Sequence, residues 1–320
     1  VDYFRAVPGI RATARMVAPG RPTISIVQKD STGKEQEPMT VIANRVTMQG
    51  DSLVYAGGKV EITRTDVLAT GDSAMLNSET EYARLMRGPS ITARGDRPFT
   101  LTGTLIDLFG RDRAIDRVLS QGDAKGVSQD ATLTADTLDF RMAEGRLQQV
   151  YGWGASRARA INPNYDIVAD SLHVRMPDQR LREVHALRDA FAQSLPDTAK
   201  LHTTEHDWLR GDTIFAYFDS SAHATADTSS QPALEQLVAF GHARSFYQIA
   251  AKDTAAIGPA VNYVRGERIT VAFDKRSVAR VSISGDAVGV YADPLRPAVT
   301  DTTARAAPGN GRRNASRRSP

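Results

Sequence analysis

The sequence predicts an all-β protein, an elongated β-roll built from about seven bent-strand repeat units. Three observations carry this. One phrase is written seven times in a single register, apolar residues alternate with period two, and the alternation changes face at one fixed point in every copy.

The phrase is apolar-x-(Ala/Gly)-polar-x-apolar-x-apolar. It appears first as Val41, Ala43, Asn44, Val46, Met48, and then as Ala69, Gly71, Asp72, Ala74, Leu76. Leu101, Gly103, Thr104, Ile106, Leu108 follow, and the next two copies centre on Ala135–Asp136 and Ala169–Asp170. Leu209, Gly211, Asp212, Ile214, Ala216 and Val264, Gly266, Glu267, Ile269, Val271 complete the set. The small residues stand at 43, 71, 103, 135, 169, 211 and 266, in steps of 28, 32, 32, 34, 42 and 55. A second phrase, apolar-x-x-apolar-x-x-x-Gly, follows several anchors, as at Ile115/Val118/Gly122, Leu147/Val150/Gly154, Leu234/Leu237/Gly241 and Val278/Val281/Gly285. After Leu181 and Val184, Arg188 replaces the glycine.

In the fourth copy Leu133 and Ala135 share one parity, whereas Leu138, Phe140 and Met142 take the other. One extra residue at the small–polar pair swaps the faces, as a β-bulge or strand corner does. The small residue lets the backbone bend, and Asp or Asn can bond nearby N–H groups. Each unit is thus expected to be a bent strand, a turn such as "AEGR" or "PDQR", and a returning strand. The long steps come from loops inserted at Ser220–Gln231 and Ile249–Ala260. The stretch Val184–Gln193 is helix-compatible in composition, but its place in the repeat assigns it to a strand. Val1–Arg5 resembles 138–141, so the chain reads as starting inside a unit, as a cut or processed chain whose precursor carried a signal or anchor. The expected organisation is a partial repeat and linker over 1–39, repeats over 40–295 with a possible division into two rolls near 190–206, and a disordered Arg/Pro-rich tail over 296–320.

Composition narrows the function classes. The 320 residues hold 40 basic and 37 acidic side chains, a formal charge of +3. Residues 296–320 carry six arginines against Asp301, so the first 295 residues are net −2. The high isoelectric point, near 9.1, therefore belongs to the tail, and the body lacks the basic surface of a nucleic-acid binder. The absence of cysteine excludes disulfides, thiolate catalysis and Cys-based metal sites. No run approaches the length of apolar residues that spans a bilayer as a helix.

The stretch "VIANRVTMQGDSLVYAGGKVEIT" (Val41–Thr63) resembles the core repeat of the OstA-like family of periplasmic lipopolysaccharide-transport proteins. Tyr55, Gly58, Val60 and Ile62 match that family's Tyr-x-Gly-x-Val-x-Ile, and Asn44 stands where Asp is usual. The likeness extends over roughly Thr40–Tyr291; the units here are longer and more Arg-rich, and the tail is unusual. It implies a V-shaped β-jellyroll in the periplasm whose apolar groove holds acyl chains of lipopolysaccharide or another glycolipid. It also implies edge-strand pairing with other jellyroll-domain transport proteins or with a second copy. Membrane contact would be indirect, with no catalysis, cofactor or nucleic acid. The residues expected to line the groove are Val46, Met48, Ile106, Leu108, Leu138, Phe140, Met142, Leu172, Val174, Met176, Ile214, Phe218, Ile269, Val271 and Phe273. The same positions also suit an ordinary closed core.

Two other readings have sequence support. A stack of bent strands suits a structural or adhesive β-solenoid without ligand. "HTTEH" (His202, Glu205, His206) spells the His-x-x-Glu-His pattern of inverted zinc peptidases. That chemistry needs both histidines on one helical face. In a strand they lie roughly 13 Å apart at about 3.3 Å per residue, too far for one ion.

Overall fold

The computed structural model describes residues 1–27, 38–65, 67–94, 98–112, 114–129, 131–194, 203–219, 232–251, 258–274 and 277–294. The predicted tail, the Ser220–Gln231 loop and His202 lie outside them. Apart from one 3-10 turn at Pro177–Gln179, the regular elements are antiparallel strands of a single hydrogen-bonded sheet. In chain order these are β1 (Asp2–Phe4), β2 (Arg15–Pro19), β3 (Thr23–Ile26), β4 (Met39–Ile42), β5 (Arg45–Gln49), β6 (Leu53–Arg64) and β7 (Val67–Asn77). Next come β8 (Tyr82–Met86), β9 (Ser90–Ala93), β10 (Phe99–Thr102), β11 (Leu105–Arg111), β12 (Ala114–Ser128), β13 (Thr132–Ala143) and β14 (Arg146–Ile161). The rest are β15 (Tyr165–Arg175), β16 (Glu183–Ser194), β17 (Trp208–Asp219), β18 (Ala233–Ile249), β19 (Ala260–Asp274), β20 (Ser277–Ser284) and β21 (Val288–Ala292).

The sheet is a meander of bent strands. β5 and β4 pair with the two halves of β6, and β8 and β9 with the two halves of β7. β11 and β10 do the same on β12, and β20 and β21 on β19. The sheet thus divides into two arms. The first contains β1, β2, β5, β8, β11 and β20 with segments such as 137–143 and 146–153; the second contains β3, β4, β9, β10 and β21 with segments such as 132–134 and 158–161. β16 pairs with β17 in both arms, from Glu183↔Tyr217 to Gln193↔Trp208.

The corners explain both sequence phrases. Where β6 meets β7 the register jumps from Gly57↔Ser73 to Val60↔Gly71, two residues facing Asp72 alone. The two are Gly58 and Lys59, at φ +76° and +52°. The same left-handed doublet recurs at Gly20–Arg21, Gly122–Asp123, Arg188–Asp189, Gly241–His242 and Gly285–Asp286. The glycine of the second phrase therefore supplies the bend, and the polar residue of the first phrase sits against it. Asn44 donates its N–H to Gly58 O at 2.8 Å, Thr104 to Gly122 O at 3.0 Å and Glu267 to Gly285 O at 3.0 Å. Asp136 accepts the Ser156 N–H at 2.8 Å across the wider corner of β14.

The parity flip is a change of wall. Val41, Leu101, Ile167, Leu209 and Val264, the first position of the phrase, are buried in the second arm. Val46, Ile106, Leu138, Leu172, Ile214 and Ile269, just past the corner, are buried in the first. Both sets join one apolar cluster that runs from Val41 to Val271.

The outer face of the first arm carries a polar and aromatic ladder. Asp107 and Asp139, 3 % and 1 % exposed, lie beneath arginines. Arg84 Nε and the Tyr82 hydroxyl donate to Asp107 at 2.7 and 2.6 Å; burial, and then the bond to Asp107, push the Tyr82 pKa up to about 12, with Arg84 opposing. Arg117 and Arg141 donate to Asp139 at 2.8 and 3.1 Å. The row continues as Tyr151 stacked on His173 (4.3 Å), His173 edge-on to His185 (5.4 Å), and His185 against Phe215 (4.6 Å).

Burial, and then the charges of His185 and Arg175, hold His173 below the ordinary histidine range, with Glu183 opposing. The unfolded chain therefore binds this proton more readily than the native one. The contribution is fully present above about pH 6.5 and is lost as pH falls from there through the folded pKa. Denaturation midpoints measured from pH 7.5 to 5 should fall more steeply for the wild type than for His173→Phe, which keeps the stack. Coincident slopes would show that His173 is not the titrating group.

Candidate functional site

The predicted groove residues converge on one surface, the inner face of the first arm. Val46 and Met48 lie on β5, Ile106 and Leu108 on β11, and Leu138, Phe140 and Met142 on β13. Leu172 and Val174 lie on β15 with Met176 just beyond it, Ile214 and Phe218 on β17, and Ile269, Val271 and Phe273 on β19. Val46, Ile106, Leu138, Phe140, Leu172, Val174, Ile214, Phe218, Ile269 and Val271 are buried. Met48, Leu108, Met142, Met176 and Phe273, farther from the corners, are half-buried against the same cluster.

The opposing wall was read only in part: the first position of the phrase lies on it, but no residue of it was expected to line the groove. Val60, Ala69, Ile91, Ala124, Ala158 and Ala192 are buried there. Many are alanines, whose apolar signal is weak, and all but Ala69 lie past the corner from their copy's anchor. Their small size lets the arms approach. Phe140 of the first arm stacks on Phe99 of the second, with centroids 6.1 Å apart and planes 10° from parallel. A Cβ at Gly126 would stand 3.2 Å from Phe140 Cζ. Beside this contact Leu133, Leu138, Ala158 and Val174, from both arms, leave no space that would admit a water.

The interior changes character at its C-terminal end. Ser245, 2 % exposed on the second wall, has an Oγ without a hydrogen-bond partner among the described residues. Nearby Asn262 Nδ2 donates to Tyr247 Oη at 2.7 Å, and burial raises the Tyr247 pKa. Tyr291, opposite Asn262, is exposed. This end has an open ladder edge: β20 and β21 pair on one side only, with β19, among the described residues. At the other end β3 pairs, among the described residues, only with β4.

The remaining motif is partly visible. His206 Nδ1 is 2.9 Å from Ser194 O, and Gln248 Nε2 donates to Glu205 O. Asp207, its pKa raised by burial, accepts the Gln248 N–H at 2.9 Å. His202 lies outside the described residues, among which no group of three His, Asp or Glu is placed to hold a metal ion.

Fold and interior together define a class: an all-β meander of bent strands, folded along a line of corners around an apolar interior. No family model matches the chain, and no curated protein matches it.

Proposed function

We propose that the chain is a non-catalytic, periplasmic lipid-binding transport module. Its interior would take acyl chains of lipopolysaccharide or a related glycolipid, and its edge strands would pair with other jellyroll-domain transport proteins or a second copy. The observation that carries this reading is how the walls are joined. Among the described residues each cross-strand partner lies in the same arm as its mate, so away from the corners the walls meet through side chains such as Phe99 and Phe140. Parting them costs apolar contact without breaking a ladder hydrogen bond, and an acyl chain replaces that contact in kind. The resemblance of Val41–Thr63 to the OstA-like repeat agrees with this reading.

Mass spectrometry of natively purified protein tests it. Acylated glycolipid should copurify; a ligand-free protein that also fails to bind lipopolysaccharide sinks the proposal. That second outcome would favour a ligand-free scaffold, a reading supported by how fully the Phe99–Phe140 region is packed.

The partner reading rests on open edges, which are templates for strand addition. Of the adjacent positions Gly289 and Val290 in β21, one directs its N–H away from β19. Proline at that position should abolish oligomers in sedimentation analysis without lowering the melting temperature. Assembly that persists with proline at either position would mean that β21 is not the joint.

A further inference from the structure

We propose that an open cavity on the outer face of the first arm binds a phosphorylated saccharide. The cavity, about 500 Å³, is lined by Arg11, Thr13, Arg15, Thr47, Gln49 and Tyr55. It lies outside the interior and does not rest on the function proposed above.

Its walls come from β2, β5 and β6 and from the segment between β1 and β2. Arg15 is the cross-strand neighbour of Gln49, and Thr47 that of Tyr55, so four lining residues share the outer face. Met16 and Met48, of opposite parity, pair on the inner face. The covering segment is tied down: Arg11 and Val7 form a bridge, Arg11 Nη1 donates to Arg5 O at 2.7 Å, and Gly50 N donates to Ala14 O at 2.8 Å. The Arg11 guanidinium also stands 5.1 Å from the Phe4 ring centroid.

The chemistry of the lining selects the ligand class. Two guanidinium groups share the cavity, no carboxylate lines it, and neither arginine has an ion-pair partner among the described residues. Guanidinium forks match phosphate oxygens. Two threonine hydroxyls and the Gln49 amide supply donors and acceptors suited to sugar hydroxyls. The Tyr55 ring, 42 % exposed, offers a flat apolar face. The volume falls in the range of small-molecule sites. An inorganic phosphate would leave Gln49, Thr47 and Tyr55 unused.

Titration calorimetry on the full chain, with a hexose 1-phosphate, the free hexose and inorganic phosphate, tests the assignment. The hexose phosphate should bind at least tenfold more tightly than inorganic phosphate, and the free hexose should give no measurable heat. Arg15→Ala should weaken binding tenfold or more at an unchanged melting temperature, and Gln49→Ala should erase the preference for the sugar. Vesicles displaying a phosphorylated glycolipid separate the two sources of such a group: binding that hexose phosphate competes away places a lipid headgroup in this cavity. The proposal is overturned if wild type binds no hexose phosphate, if Arg15→Ala binds it equally well, if inorganic phosphate binds as tightly, or if vesicle binding resists both competition and Arg15→Ala.

Discussion

Gly241→Ala is expected to lower the unfolding free energy by about 2–4 kcal/mol, the sum of a left-handed backbone penalty and a steric overlap. Gly241 has φ +70°, where a side chain crowds its own carbonyl. A Cβ there would also stand 2.7 Å from Asp212 Cγ and 2.9 Å from Asp212 Cβ. The second of these atoms cannot swing away, because it is fixed to the anchor backbone. Gly145 is a matched control, at φ +71° with nothing within 4 Å of its would-be Cβ. Gly145→Ala should cost only the backbone part, about 1–2 kcal/mol. Removing the obstacle should restore part of the loss, so Gly241→Ala and Asp212→Gly should couple by about 1–3 kcal/mol in urea denaturation. Additive effects would mean that the polar anchor residue does not pack on the corner glycine.

Phe140→Ala should cost about 3–5 kcal/mol, the usual range for a buried aromatic truncated to alanine. Phe140 bridges the arms, stacked on Phe99 and set over Gly126. Its removal withdraws one of the two rings of that contact and opens a space beside Leu138 and Val174, where none exists in the wild type. Stability and ligand capacity should therefore move in opposite directions. The variant should melt earlier and bind a fluorescent fatty acid more tightly than the wild type. A variant that is destabilised but takes up no more probe would identify the interior as a closed core and count against the lipid reading.

Much of the fold was legible because the chain writes its geometry repeatedly. Period-two alternation identified the strands, and the parity change at Ala43–Asn44 or Ala135–Asp136 located each bend. Val184–Gln193, ambiguous in composition, falls within strand β16, where cross-strand pairs with β15 and β17 override local propensity. The candidate site was only half legible. Residues flanking the anchor are large and announce themselves, whereas Ala124, Ala158 and Ala192, on returning strands past the corner, are small, and a single strand carries no record of its opposite wall.

The buried carboxylates were not legible either. Asp107 and Asp139 resemble surface residues in their alternation; Arg141 is a same-strand neighbour of Asp139, but only cross-strand register brings Arg84 and Arg117 over the carboxylates. The cavity around Arg15 likewise depends on a segment folding back from β1.

By itself the sequence determined the strand period, the repeat register and the position of every anchor, because these depend on neighbours along the chain. Only the tertiary structure decided that most anchors, such as Asn44, Thr104 and Asp212, face a left-handed doublet in the next strand, and that the parity change carries side chains from one wall to the other. Those facts depend on contacts between residues distant in sequence, such as Asp212 with Gly241 and Phe99 with Phe140. A periodic pattern does not encode which partners such residues meet.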